Sequence, residues 1–141
     1  MKRHSSAVWQ GTLKEGKGTL TTQSGVLQET PYSFTGRFES GTGTNPEELI
    51  AAAHAGCFTM SVSAKVSAAG FNPERLSTRA NLTLEQVQGA WTITTIHLEL
   101  TAKVPGIERT KFDEIAADAM NTCIISRALK ADFTLHITFE N

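Results

Sequence analysis

One stretch of small apolar residues near the middle of the chain constrains the fold most. It reads TNPEELIAAAHAGCFTM and opens with the signals of a helix start: Asn45 can serve as N-cap, Pro46 suits the first helical position and Glu48 suits a capping box. Gly70 is a good C-terminal cap residue, so we predict a helix over residues 46–69. Because Ala and Gly let neighbouring backbones approach closely, such a helix is suited to burial against close neighbours.

Patterns typical of β-strands flank this helix on both sides. Before it, AVWQGTL and GTLTTQSG are separated by a glycine-rich turn, and YSFTGRF alternates so that Arg37 would point away from an aromatic face. After it, RLSTRANLTLEQV and AWTITTIHLELTAKV are joined by a turn at QG, with either a bulge or a change of buried face expected between Ile93 and Ile96. The strict alternation in DFTLHITFE predicts a last strand.

A second, amphipathic helix is predicted after the VPGIERT loop. Thr110 with Asp113 resembles a capping box, and the helix should break near Asn121, which would put Cys123 at the start of a second helical piece. The resulting order, β-β-β-α-β-β-α-β, comes in blocks rather than in regular alternation and therefore favours an α+β fold. Neither a linker nor a repeat divides the chain, so we predict a single domain over residues 1–141.

Composition excludes several classes of function. A chain of 141 residues with 40% hydrophobic residues and a formal net charge of -1 has no basic excess to neutralise phosphates, so nucleic acid is not expected as a partner. Nowhere do 18 apolar residues run together, which argues against a membrane span and for a cytoplasmic protein. Two cysteines are too few for a four-thiolate zinc site, and a lone pair in a reducing cytosol is more often catalytic than structural.

Two interpretations of Cys57 are open at this point. A thiol among alanines is usually a small buried hydrophobe. Against this, Glu48 alone satisfies the capping box and leaves Glu47 free for another partner, and Arg37 precedes it by a short loop. A guanidinium held by a carboxylate beside a thiol lowers the pKa of a cysteine and makes the reactive thiolate available. Cys123 would supply a redox partner.

Helix geometry limits how these residues can meet. Ten helical residues separate Glu47 from Cys57 by roughly 15 Å along the axis, which is beyond the reach of either side chain on a straight helix. If Arg37 and Glu47 serve Cys57, they most simply come from a second copy of the chain whose central helix crosses this one. We therefore predict a homodimer with sites built across its interface.

The residues quoted so far resemble a known family. GKGTLTTQSGVL, YSFTGRFE, GTNPEELIAAAHAGCF, VPGI and CIIS, in this order, are similar to the OsmC branch of the OsmC/Ohr family, the osmotically inducible protein C and organic hydroperoxide resistance proteins. The similarity runs over essentially the whole chain. It implies an OsmC-like fold in which two long central helices of an intertwined homodimer are wrapped by antiparallel β-sheets.

The resemblance also implies an activity and a set of residues. It implies a thiol peroxidase that protects against oxidative stress, with Cys57 as peroxidatic cysteine, Cys123 as resolving cysteine, and Arg37 with Glu47 as the ion pair that activates the thiolate. The implied substrate is an organic hydroperoxide, the implied reductant is a dithiol carried on a lipoylated protein, and neither a metal nor another cofactor is implied. An apolar lining from Phe38, Phe58, Met60 or Ile125 would favour alkyl peroxides.

Ile124 and His54 also carry expectations, and a non-catalytic function is the alternative to the peroxidase. The family usually has proline after the resolving cysteine, so we expect Ile124 to loosen the turn around Cys123. His54 precedes Cys57 by one helical turn, but Ohr relatives have tyrosine there, so we expect a buried hydrogen bond rather than a Cys–His nucleophile pair. The rival function is a non-catalytic thiol redox sensor or a small-molecule-binding stress protein.

Overall fold

The computed structural model describes residues 1–38 and 42–140, with only the backbone of Phe38. It divides into two units, residues 1–49 and residues 50–141, which we describe separately. The single domain predicted over residues 1–141 stays a prediction. The elements in chain order are β1 Ser5–Gln10, β2 Lys17–Thr22, β3 Thr30–Tyr32, α1 Phe34–Phe38, α2 Pro46–Ala68, β4 Arg75–Val87, β5 Ala90–Lys103, α3 Arg109–Thr122, α4 Ile124–Ala128 and β6 Asp132–Phe139.

The first unit contains a three-stranded antiparallel sheet in the order β1-β2-β3. Gly18 of β2 pairs with both Trp9 and Tyr32, whose ring centroids are 5.4 Å apart. A Cβ added at Gly18 would lie 2.3 Å from the Tyr32 ring, so the two rings can close over this strand only where the residue is glycine. The two N-terminal strands predicted from the sequence are confirmed.

The predicted strand over YSFTGRF is wrong. Strand β3 ends at Tyr32, and the chain then forms the short helix α1. Ser33 precedes this helix, and its hydroxyl oxygen accepts a hydrogen bond from the Gly36 backbone N–H at 3.0 Å, as an N-cap does. Arg37 consequently lies in the last turn of a helix and not on the polar face of a strand.

Both ends of α2 are closed by the residues that the sequence indicated. The Asn45 side chain accepts a hydrogen bond from the Glu48 backbone N–H at 2.8 Å, which is the N-cap interaction and contributes about 1 kcal/mol to helix stability. At the other end Gly70 has φ of +90°, and the Phe71 N–H donates to the Val66 carbonyl at 3.2 Å. This Schellman motif ends the helix where the glycine predicted it.

The second unit contains the sheet β4-β5-β6. Strands β4 and β5 form the predicted antiparallel hairpin, with a two-residue turn whose Gln88 and Gly89 have φ of 52° and 83°. The pairing shifts register between Thr83 and Leu84 so that Thr94 has no opposite residue, which confirms the expected bulge. Strand β6 runs parallel to β5, so this sheet is mixed rather than wholly antiparallel.

Helix α3 begins earlier than the sequence indicated. It starts at Arg109, and Glu108 at the N-cap position makes no side-chain capping bond. The predicted capping box of Thr110 with Asp113 is therefore wrong. Asp113 instead accepts a hydrogen bond from Arg109 Nε at 2.7 Å, an i to i+4 pair one turn along the helix.

The core of the second unit lies between its sheet and one face each of α2 and α3. Strand β5 supplies alternate residues, α2 supplies residues four apart, and α3 supplies residues at helical spacing. The fully buried members are Phe58, Val62, Val66, Ile96, Leu98, Leu100, Ala102, Val104, Phe112, Ala116 and Ala119.

The other face of α2 is open. Ala53, Gly56, Met60 and Ala64 are exposed, and a Cβ added at Gly56 would meet nothing within 4 Å. Within the described part of the chain, α2 is the one helix with the length and mean hydropathy of a membrane span, 1.3 over 18 residues, and 22% of that window is buried. Core helices of soluble proteins can have the same length and mean hydropathy, but they are mostly buried. The exposed face is wide and apolar, and apart from Met60 its side chains are small.

Candidate active site

The first unit brings Arg37 and Glu47 together. Arg37 Nε lies 3.0 Å from Glu47 Oε1 and 3.2 Å from Oε2, so one guanidinium nitrogen binds both carboxylate oxygens. Thr44 donates to Glu48 at 3.1 Å, which holds that second carboxylate at the helix start and leaves Glu47 to the guanidinium. The Arg37 side chain is 39% exposed, and its Nη atoms have no hydrogen-bond partner within residues 1–38 and 42–140. These Nη atoms carry hydrogen-bond donors that another group could use.

A small apolar hollow lies beside this ion pair. It has a volume of about 230 Å³, and its walls include Trp9, Leu13, Tyr32 and Phe34 together with Arg37. Such a combination of aromatic walls with one cation suits a small molecule that carries an apolar body and a polar end.

The second unit brings Cys57 and Cys123 together, although they are far apart in the sequence. Both are free thiols in one cleft of about 570 Å³, where Cys57 is partly exposed and Cys123 is 3% exposed. Met60 and Ile125 line the cleft, as expected. Phe58 does not, because it is fully buried in the core. The expected contribution of the Phe38 side chain lies outside the described part of the chain.

The surroundings of Cys57 act on its thiol in opposite directions. Burial raises the pKa of Cys57, and the Cys123 side chain raises it further, whereas hydrogen bonds from the backbone N–H groups of Ile125 and Ile124 lower it. The net result is a pKa above the ordinary value of a cysteine. Among residues 50–140, no cationic side chain contributes to this shift. This unit by itself therefore keeps Cys57 protonated at neutral pH.

The turn at Cys123 is held by a side chain that sequence analysis missed. Cys123 is the N-cap of α4, and its sulfur accepts the Ser126 backbone N–H at 3.3 Å and lies 3.0 Å from the Ser126 hydroxyl. Since the sequence placed Cys123 at a helix start, the residue three positions later was identifiable as its capping partner. Cys123 has φ of -62° and ψ of 148°, the extended conformation that a following proline would require. The turn has this shape with Ile124 in place of proline.

Replacing Ile124 by proline is expected to raise the pKa of Cys57, because proline has no backbone N–H to donate to that sulfur. The backbone accepts the change, and the Ile124 side chain is 76% exposed. Alkylation of Cys57 at neutral pH should slow about three- to tenfold, the effect of losing one hydrogen bond of roughly 1 kcal/mol. The matched control is Ile124→Ala, which keeps the N–H. Equal alkylation rates in the two variants would show that this donor does not act on Cys57.

His54 makes the buried hydrogen bond that was expected of it. Its side chain is fully buried, and Nε2 lies 2.8 Å from the Ser126 hydroxyl oxygen. The His54 ring also packs edge-on against Phe133, with centroids 5.0 Å apart. Burial lowers the pKa of His54, so the ring is neutral at neutral pH.

Comparisons with known proteins assign this chain to a family. The chain belongs to the OsmC-like proteins, whose family model matches residues 39–138. Peroxiredoxin OsmC of Escherichia coli (strain K12) is 47% identical over 133 residues, which cover 94% of this chain and 93% of that protein. The organic hydroperoxide resistance protein of Xanthomonas axonopodis pv. citri (strain 306) is 28% identical over 99 residues, covering 70% and 68%.

Solved structures give the same result for the fold. The organic hydroperoxide resistance protein OhrB of Bacillus subtilis matches with a TM-score of 0.70 at 22% identity, and the match covers 96% of this chain and 98% of that one. The family and the α+β, OsmC-like fold predicted from the sequence are thereby confirmed. The roles of Cys57, Cys123, Arg37 and Glu47 stay predictions.

Proposed function

We propose that this chain is a cysteine peroxidase that reduces organic hydroperoxides to alcohols, with Cys57 as the nucleophile and Cys123 as the resolving thiol. The observation that carries the proposal is the apolar cleft that holds one partly exposed and one buried free thiol. The names of the two curated relatives, a peroxiredoxin and an organic hydroperoxide resistance protein, bear out the predicted peroxidase role.

In the first step the Cys57 thiolate attacks the distal oxygen of the hydroperoxide. A sulfur–oxygen bond forms, the O–O bond breaks, and the alkoxide takes up a proton and leaves as an alcohol. The cysteine is oxidised to a sulfenic acid and the peroxide is reduced. The Arg37 guanidinium would keep the sulfur ionised and stabilise charge on the separating oxygens, while Glu47 orients it.

A second copy of the chain would supply this cation. The second unit raises the pKa of Cys57 and adds no cation of its own, so the thiolate needs a positive charge from elsewhere. The open face of α2 supports close approach of another helix, because Ala53, Gly56 and Ala64 carry little or no side chain. We therefore propose a homodimer in which Arg37 and Glu47 of one copy serve Cys57 of the other. The apolar hollow beside Arg37 would then receive the organic part of the substrate.

The cycle closes through a disulfide. Cys123 condenses with the sulfenic acid of Cys57, a sulfur–sulfur bond forms, the S–O bond breaks and water leaves. A dithiol, which we propose is a lipoyl group carried on another protein, then reduces the disulfide through a mixed disulfide and is itself oxidised. A cycle that returns to two free thiols suits the reducing cytoplasm, where we place the protein.

Turnover separates this enzyme from a redox sensor. Reduced protein is incubated with cumene hydroperoxide and dihydrolipoamide, and the loss of peroxide is followed. An enzyme consumes many equivalents of peroxide per chain, whereas a sensor stops near one equivalent. Consumption that stops at that point would contradict the proposed function.

Replacing Cys123 by serine is expected to allow oxidation of Cys57 by the peroxide but to prevent formation of the disulfide. Without a resolving thiol the sulfenic acid of Cys57 persists, and a second peroxide oxidises it to sulfinic acid. Peroxide consumption should therefore cease after a few turnovers, and intact-protein mass spectrometry should find the added oxygen on Cys57. Sustained turnover without over-oxidation would show that Cys123 does not resolve the sulfenic acid.

A further inference from the structure

Three buried groups form a continuous chain of hydrogen bonds that ends at Cys123. His54 Nε2 lies 2.8 Å from Ser126 Oγ, and Ser126 Oγ lies 3.0 Å from Cys123 Sγ. His54 is fully buried, Ser126 is 5% exposed and Cys123 is 3% exposed. A hydroxyl that bridges an imidazole nitrogen and a thiol in this way can pass a proton between them, because it both donates and accepts.

The imidazole at the end of the chain is uncharged, and in the tautomer that carries its hydrogen on Nδ1 it can accept a proton at Nε2. Burial alone lowers the pKa of His54, and no charged side chain adds to the shift. The ring contacts the Ser126 hydroxyl on α4 and the Phe133 ring on β6, neither of which is charged. Within residues 1–38 and 42–140, Nδ1 is buried without a hydrogen-bond partner.

Ser126 contacts the sulfur end of the chain with two of its groups. Its backbone N–H donates to Cys123 Sγ at 3.3 Å, and its hydroxyl lies 3.0 Å from the same sulfur. The hydroxyl of the same residue is then free to receive the thiol proton while it gives its own to His54. Both contacts come from one residue, so the loss of the hydroxyl alone leaves the backbone donor in place.

We propose that Ser126 and His54 form a proton relay for the resolving step, an inference that rests on the function proposed above. As Cys123 attacks the sulfenic sulfur of Cys57, its proton passes to Ser126 Oγ, and the Ser126 proton passes to His54 Nε2. The sulfur–sulfur bond forms, the S–O bond breaks, and the leaving hydroxide takes the proton back to become water. Atoms and electrons balance without another reagent. Ser126 contacts the reacting sulfur, and His54 acts through it as a positioning residue.

A single-turnover experiment separates the two chemical steps. Reduced full-length protein is mixed with one equivalent of cumene hydroperoxide and quenched at intervals with dimedone, and mass spectrometry measures the thiol, the Cys57 sulfenic adduct and the disulfide. In Ser126→Ala, disulfide formation should slow about tenfold or more relative to sulfenic acid formation in the same protein, the size of one proton-transfer contribution. The control is Thr59→Val, which removes a part-buried hydroxyl on α2 that bonds to Thr78; this variant should form the disulfide at the wild-type rate.

The pH profile distinguishes a relay from a packing role. In the wild type, disulfide formation should slow as the pH falls below the lowered pKa of His54, because a protonated ring accepts no proton. His54→Gln keeps a side chain that can bond to Ser126 but is not a base, so its resolution should be slow at neutral pH and lack this acidic decline. If Ser126→Ala fails to fold, the pH profile of His54→Gln alone decides between a relay and a packing role.

The outcomes separate the relay from the peroxidase function. Wild-type rates and an unchanged profile in both variants would overturn the relay and leave the peroxidase intact. A wild-type protein that forms no sulfenic acid at Cys57 would overturn the proposed function itself.

Discussion

Replacing Cys57 by serine is expected to reduce peroxide consumption to the uncatalysed rate. A hydroxyl has nearly the size of a thiol but is far less nucleophilic, so the variant keeps its fold and loses the group that attacks the O–O bond. The assay follows the loss of cumene hydroperoxide in the presence of dihydrolipoamide. Far-ultraviolet circular dichroism and size-exclusion chromatography check that the fold and the oligomeric state are unchanged.

The matched control for this loss is Ser61→Ala. Ser61 lines the same cleft as Cys57, so its replacement changes the surface of the cleft without touching either thiol. This variant should retain activity within about twofold, as is usual for a small change away from the reacting atoms. If Cys57→Ser retained turnover while Ser61→Ala had wild-type activity, Cys123 or another group would carry out the first step.

Mixing two inactive variants is expected to restore activity if the site is shared between copies. Cys57→Ser lacks the nucleophile, and Glu47→Gln lacks the carboxylate that holds Arg37 at 3.0 Å. In a hybrid dimer one of the two sites combines an intact Cys57 with an intact Arg37 and Glu47 pair from the other copy. Random mixing makes about half of the dimers hybrid, so about a quarter of all sites should be active.

The mixing experiment needs proof that subunits exchange. One variant carries an affinity tag, the chains are unfolded together and refolded, and hybrid dimers are isolated before the assay. Glu47→Gln removes a charge but preserves the shape of the side chain, so loss of its own activity reports on the ion pair and not on packing. Hybrids that form and remain inactive would contradict the shared site, while the fold and the family assignment would stand.

Local signals in the sequence predicted most of the elements that position the site. Asn45 and Gly70 lie at the ends of α2 as predicted, because caps depend on residues within one turn. The strand predicted through Arg37 was wrong because another cap of this local kind was overlooked. The alternation of apolar residues favoured a strand, but the Ser33 hydroxyl captures the Gly36 N–H and begins a helix instead.

The contacts within the site join residues that are distant in the sequence, so local sequence patterns could not predict them. Nothing in the residues around Cys57 indicates that Cys123 and the α4 backbone lie against it: the residues alone offered Cys123 as a redox partner, and the family resemblance implied that the two cysteines form a disulfide. The bond between His54 and Ser126 joins two residues 72 positions apart, and the sequence indicated only that His54 would be buried with some partner. Spacing patterns predict faces of helices and strands, whereas the partner of a buried polar group is set by how those faces pack.

The charge state of Cys57 tests the central claim most directly. In the Cys123→Ser background, which leaves one thiol, the rate of alkylation by iodoacetamide is measured against pH with Arg37 intact and with Arg37→Gln. Burial raises the pKa of Cys57 within its own unit. Alkylation of Cys57 in the intact dimer should therefore reach its maximal rate by neutral pH only if the Arg37 charge stabilises the thiolate. The Arg37→Gln profile should then move upward by at least about one pH unit. Superimposed profiles, or a thiol that is protonated at neutral pH in both proteins, would contradict the account.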